Sequence, residues 1–185
     1  MNVTPLQPLE IFLQPGDHYF GDRDTRIRTV LGSCVSITFW HPQLLVGGMC
    51  HYMLPRREEE RRNLAASLPD GRYADEAVLL LMNEIDTVGA SHKEYQVKLF
   101  GGGNMFPESR KQQEGHVGQR NVEIARTLVR KHGFACVAEH LGGIGHRNVI
   151  FDIWNGDVWV RHSDIRRNES VAGRQERRLG CAASK

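Results

Sequence analysis

The sequence predicts an α+β fold in a single domain, with a mainly antiparallel, sandwich-like β core covered by helices. Three observations carry this expectation. Short runs alternate apolar and polar residues, as in Val35, Ile37 and Phe39 against Ser36, Thr38 and Trp40, or in Gln96-Val97-Lys98-Leu99-Phe100. Asn155-Gly156, the strongest short-range hairpin signal, separates 148–154 from Val158-Trp159-Val160. Only two segments repeat apolar residues at helical spacing, and each is followed by a glycine.

In chain order, residues 1–20 form an N-terminal arm holding Pro5, Pro8 and Pro15, in which Ile11-Phe12 is consistent with an edge strand. The domain proper spans 21–161. A hairpin opens it: Val35–Trp40, a turn at His41-Pro42-Gln43, then an apolar run from Leu44. The charge run 55–62 reads as a solvated loop. A helix is expected over 74–90, with Asp75 and Glu76 at its positive end and Val78, Leu81, Met82 and Ile85 on one face. After the strand at 96–100 come Gly101-Gly102-Gly103-Asn104, a helix over 121–132 with Val122, Ala125, Leu128 and Val129 on one face, and a strand over 135–138. Residues 162–185 read as a basic, flexible tail.

Composition excludes several classes. The chain has 185 residues with 24 Lys/Arg against 22 Asp/Glu, and seven of the basic residues against three acidic ones fall between 161 and 185. The basic excess therefore belongs to the tail, and no nucleic-acid-binding face is expected. No apolar stretch is long enough to cross a membrane and the N-terminus lacks the regions of a signal peptide, so a cytoplasmic protein without membrane insertion is expected. The four cysteines, at 34, 50, 136 and 181, form no CxxC pair, and the nine histidines include no HExxH. Neither a metal nor another cofactor is expected.

Cys50 should point to the face opposite His51, and Cys136, inside Phe134-Ala135-Cys136-Val137-Ala138, reads as a small core residue. Cys34 is different. With the hairpin turn centred between Pro42 and Gln43, residues whose numbers sum to 85 oppose each other, which sets Cys34 against His51. Directly opposed Cβ atoms lie about 4.5–5.5 Å apart, close enough for a thiol and an imidazole to share a proton. A bulge at Gly47-Gly48 would leave a diagonal contact. Such a pair serves acyl transfer: the imidazole takes the thiol proton, the sulfur attacks an amide or ester carbonyl, and a thioester is then hydrolysed. Gly32 permits a sharp turn, so that the backbone amides of Ser33 and Cys34 can converge on a developing oxyanion. Gly32, Gly102, Gly103 and Asn104 are candidates for the border of a substrate cleft. The alternative is that Cys34 is a core residue and His51 a satisfied strand histidine.

These residues also carry a resemblance. Ile-Arg-Thr-Val-Leu-Gly-Ser-Cys-Val, Gly-Gly-Met-Cys-His-Tyr-Met-Leu-Pro, Arg72-Tyr73-Ala74-Asp75, Lys98–Phe106, Gly118-Gln119-Arg120-Asn121-Val122 and Leu141-Gly142-Gly143 followed by Gly145-His146-Arg147 occur in the order seen in the chemoreceptor glutamine deamidase family, CheD. The resemblance spans roughly residues 10 to 161 and implies hydrolysis of glutamine side-chain amides on the cytoplasmic domain of bacterial chemoreceptors, giving glutamate in chemotactic adaptation. It implies Cys34 and His51 as the catalytic pair. The family's third member is a threonine six residues before the cysteine; here Arg28 holds that place and Thr29 stands five before, so Thr29 is the candidate orienting residue. His140 stands where an acidic residue usually precedes the glycine pair. The family also implies a possible partner, the CheC phosphatase. Two rival readings are a non-catalytic adaptor binding receptor or CheC, and a cysteine hydrolase of other specificity, such as a methylesterase.

Overall fold

A computed structural model describes residues 4–57, 68–106, 116–164 and 176–179. Among the described residues, ten strands form two five-stranded sheets. The first has the order β1 (Leu9–Phe12), β3 (Thr25–Leu31), β8 (His146–Asp152), β9 (Asp157–Ser163) and β10 (Glu176–Leu179). The second runs β2 (His18–Gly21), β5 (Val46–Tyr52), β4 (Val35–His41), β6 (Gln96–Gly101) and β7 (Ala135–Leu141). Among the described strands only β1–β3 and β6–β7 pair in parallel, so the expected mainly antiparallel core holds.

The two helices, α1 (Ala74–Val88) and α2 (Val117–Lys131), pack on the second sheet, giving a sheet–sheet–helix stack with two apolar layers. Strand alternation divides β4 and β5 between them. Val35, Ile37, Phe39, Cys50 and Tyr52 meet Val78, Leu81, Ile85, Val122, Ala125 and Leu128 of the helices. Trp40, Met49 and Cys34 turn the other way, toward Ile27, Leu31, Val149, Phe151 and Val158 of the first sheet. A strand covered on both sides leaves no polar face to water, which is why β4 is buried from end to end.

Helix α1 ends at Gly89, whose left-handed φ of 76° closes the helix as its position in the sequence implies. Helix α2 starts a turn earlier than expected, because His116 accepts the Gln119 N–H through its side chain and so caps residues that carry no apolar periodicity. The hairpin at 152–157 turns over four residues, 153–156, with Gly156 in the left-handed region and its N–H donated to the Asp152 carbonyl.

Three expectations are corrected. First, β4 and β5 pair residues whose numbers sum to 87, with Ser36 opposite His51. A two-residue turn centred after Pro42 would need a positive φ where the proline ring forbids it. The chain turns instead through 42–45, with Leu45 at φ 53° and the ring of His41 accepting the N–H groups of Gln43 and Leu44. The ladder runs unbroken past Gly47 and Gly48, with no bulge. Second, Cys136 is exposed, since its apolar run forms an edge strand. Third, the tail is not wholly apart from the fold: β10 pairs antiparallel with β9. The rest of 165–185, with Cys181, lies outside the described residues, as do 58–62 of the charge run. Arg57, the last described residue of that run, holds Glu76 of α1 through two bonds of 2.9 and 2.8 Å. Gly102 and Gly103 are buried close to backbone. A Cβ on Gly102 would collide with Val122, and one on Gly103 with the Gly145 carbonyl.

Candidate active site

Cys34 lies between β3 and β4, where the chain crosses from one sheet to the other. Its place in the register is one pair beyond Val35–Tyr52, so it stands diagonal to His51 on the same inter-sheet face. The predicted direct opposition is thus a diagonal one. A register displaced by two residues preserves the face, so the two side chains still lie in one layer.

Thr29 reaches this layer from the other sheet. Inward positions of β3 are Thr25, Ile27, Thr29 and Leu31, and Thr29 is 2% exposed. Its Oγ1 lies 2.8 Å from His51 Nδ1 and donates to the Leu13 carbonyl at 2.9 Å. A hydroxyl has one proton, so once that proton goes to Leu13 the oxygen can only accept from the ring. This count assigns His51 the tautomer protonated on Nδ1 and leaves Nε2 with its lone pair. That nitrogen is buried and has no hydrogen-bond partner among the described residues. Arg28, at the spacing expected for the threonine, points outward beside Glu10 at 3.5 Å. The bend at Gly32-Ser33 takes up the one-residue difference, because an irregular segment need not conserve side-chain parity.

The arm holds His51 from the side opposite β4. His51 N–H donates to the Asp17 carbonyl at 2.9 Å, and Gly16 N–H donates to the His51 carbonyl at 2.7 Å. Residues 13–17 therefore belong to the site.

Burial sets the protonation of the pair. It lowers the His51 pKa, against smaller raising effects from the Leu13 hydrogen bond and Asp17. It raises that of Cys34, partly offset by the cysteine's own backbone N–H. At neutral pH the resting pair is a neutral thiol and a neutral imidazole rather than a preformed ion pair. Cys50 sits in the helix-facing layer with its thiol pushed up to about 12, which leaves it inert.

The segment carrying Cys34 is braced through its carbonyls. Gly103 N–H donates to Gly32 O and Gly102 N–H to Cys34 O, both at 2.8 Å. Asn121 Nδ2 donates to Ser33 O at 3.1 Å. Gly102 and Gly103 thus brace the segment that carries Cys34. Gly32 is half-buried beside Met105, and half-buried Asn104 accepts the Phe106 N–H through its side chain and bridges to Ile144. Sequence reasoning assigned no role to Asn121, although it falls in a motif that carried the resemblance. Its contacts lie 88 and 68 residues away.

Buried Arg147 lies behind Gly103. It donates from Nε to His140 Nδ1 at 2.8 Å and from Nη2 to the Gly142 carbonyl, and burial lowers its pKa to about 10. Among the described residues, no group of three or more His, Cys, Asp or Glu is placed to hold a metal ion.

The family model described as CheD chemotactic sensory transduction matches residues 53–162. Relatives match almost the whole chain. A probable chemoreceptor glutamine deamidase CheD of Pseudomonas savastanoi pv. phaseolicola is 48% identical over 177 residues, covering 95% of this chain and 97% of its own. The chain belongs to the CheD family. A probable chemoreceptor glutamine deamidase CheD 2 of Albidiferax ferrireducens is 48% identical over 153 residues, 83% of this chain and 87% of its own. In Leptospira interrogans, a probable chemoreceptor glutamine deamidase CheD 1 is 38% identical over 169 residues, 89% of this chain and 99% of its own. Cys34 and His51 precede the segment matched by the family model, but the match to the Pseudomonas CheD protein is long enough to include both.

Proposed function

We propose that this CheD protein hydrolyses the side-chain amide of glutamines on bacterial chemoreceptors, with Cys34 as nucleophile, His51 as base and Thr29 as orienting residue. The observation that carries the reading is the buried His51 Nε2, its lone pair free and its tautomer fixed by the Thr29 bond. The relatives' names supply the substrate class.

In the reaction, His51 Nε2 takes the thiol proton as Cys34 Sγ attacks the amide carbon. The oxygen becomes an oxyanion facing the backbone N–H groups of Ser33 and Cys34. The intermediate collapses as the imidazolium gives its proton to the leaving nitrogen, releasing ammonia and a thioester. Water, deprotonated by the same imidazole, then hydrolyses the thioester to glutamate and restores the thiol. The neutral resting pair suits this order, since charge develops only when substrate is present.

Cytoplasmic placement follows from a substrate on the receptor's cytoplasmic domain. CheC binding rests on the resemblance alone. The test is peptide mass spectrometry of a receptor cytoplasmic fragment incubated with the protein or with its Cys34→Ala form. The mass increase of an amide becoming an acid at defined glutamines, absent with the variant, supports the reading. No increase with the native protein on a fragment that it binds overturns it in favour of an adaptor.

A further inference from the structure

The β4–β5 ladder ends at Val35–Tyr52, immediately before the nucleophile. Beyond it one chain crosses to the other sheet and the other runs on to Leu54, which bridges to Tyr73. At this divergence Asn121, in the first turns of α2 and fully buried, inserts its side chain. Nδ2 donates to Ser33 O at 3.1 Å and to Met53 O at 2.7 Å. Met53 holds the register place opposite Cys34, so one amide nitrogen supplies the rung that the backbone cannot.

We propose that Asn121 is a positioning residue of this site, fixing the separation of Cys34 from His51 and the aim of the Cys34 amide. The inference rests on the function proposed above. Two consequences follow from the geometry. Tying residues 33 and 53 together holds the Cys34 backbone against β5, which carries His51 two residues earlier. In a trans peptide the carbonyl and the next N–H point in opposite directions. With Ser33 O drawn to Asn121, the Cys34 N–H faces away from the helix, where it can meet an oxyanion. Helix α2 comes this close because Gly118 packs on the Gly102 carbonyl, which a Cβ would approach to 2.7 Å. Asn121 Oδ1 is buried without a hydrogen-bond partner among the described residues. An asparagine serving packing alone would not be expected to leave it so; what the position uses is the pair of donors on one nitrogen.

The test uses the full chain and its Asn121→Ala, Asn121→Asp, Tyr52→Phe and His51→Gln forms. Tyr52→Phe removes the bond from Tyr52 Oη to the Asn121 backbone carbonyl at 2.6 Å without touching the side-chain bridge, and so reports plain loss of packing. Two readouts are taken: kcat and KM for deamidation of the receptor fragment, and the pH profile of Cys34 alkylation by iodoacetamide. Both Asn121 variants are expected to lose kcat by about tenfold or more with KM changed by about twofold at most. Their alkylation profiles should move toward that of His51→Gln, while Tyr52→Phe keeps the native kcat and profile. Folded Asn121 variants with native kcat and profile would overturn the inference. So would the same kcat loss in Tyr52→Phe, or Asn121 variants that do not fold while Tyr52→Phe does. A native protein that deamidates nothing would fail the proposed function instead; the alkylation profiles would then decide the role of Asn121 alone.

Discussion

Replacing Thr29 by valine removes one oxygen and almost no volume. That oxygen makes two buried bonds, to His51 Nδ1 at 2.8 Å and to Leu13 O at 2.9 Å, so the variant orphans a donor and an acceptor together. Each buried orphan costs about 1–3 kcal/mol, which puts the loss of stability at about 2–6 kcal/mol against a total of about 5–15 kcal/mol for a domain. The effect on rate has two parts. The lost bond no longer favours the tautomer with a free Nε2, about 1 kcal/mol or a fivefold drop in the competent population. The ring also loses its anchor on one side, and misplacement of a catalytic group costs up to about a hundredfold. Thr29→Val should therefore reduce kcat by about 10- to 500-fold, while Thr29→Ser recovers most of it. Urea unfolding measures the first quantity, and deamidation of the receptor fragment followed by mass spectrometry measures the second. A folded Thr29→Val enzyme with native kcat would refute the reasoning, as would a stable Thr29→Ser enzyme no better than the valine form.

Three further outcomes are expected. Burial lowers the His51 pKa, and the base acts only when neutral, so the acid limb of kcat/KM should inflect below 6.5; with the thiol raised above 9.0, the rate should stay level across neutral pH rather than climb with thiolate. A profile rising steadily to pH 9 would contradict general-base use of His51. Arg28→Ala should change stability by no more than about 0.5 kcal/mol and leave kcat at the native value, since its partner is the exposed Glu10; a large loss of activity would return the third role to the six-residue spacing. Gly102→Ala should destabilise by about 2–5 kcal/mol on urea unfolding, because the position combines φ +68° with a Cβ driven into Val122; native stability would contradict the account of the braced loop.

Much of this was legible in the chain. Alternation alone puts Cys34 and His51 on one face, and the displaced hairpin centre keeps them there because the displacement is an even one. The same reading missed β3 as a strand. Its inward positions hold two threonines among two aliphatic residues, and its outward ones hold Arg26, Arg28 and Val30, so the alternation is that of size and burial more than of polarity. The division of β3 and β5 between sheets is a long-range fact, as is the reach of Asn121 across 88 residues, and no local pattern encodes either. Cys136 misled for a related reason: an apolar run says strand, but whether that strand lies at an edge depends on the order of the whole sheet.

The partition of the site has a consequence for how the protein fails. Cys34 and His51, the proposed nucleophile and base, go with one sheet and Thr29 with the other, so their alignment is set by how the two layers seat on each other. A small slip between the layers would leave every strand paired and every helix wound, yet would part Thr29 from His51. Turnover should therefore fade at a lower urea concentration than far-UV circular dichroism does. The chemistry of this protein is in effect a gauge of its own inter-sheet seam, reading zero before the fold itself gives way.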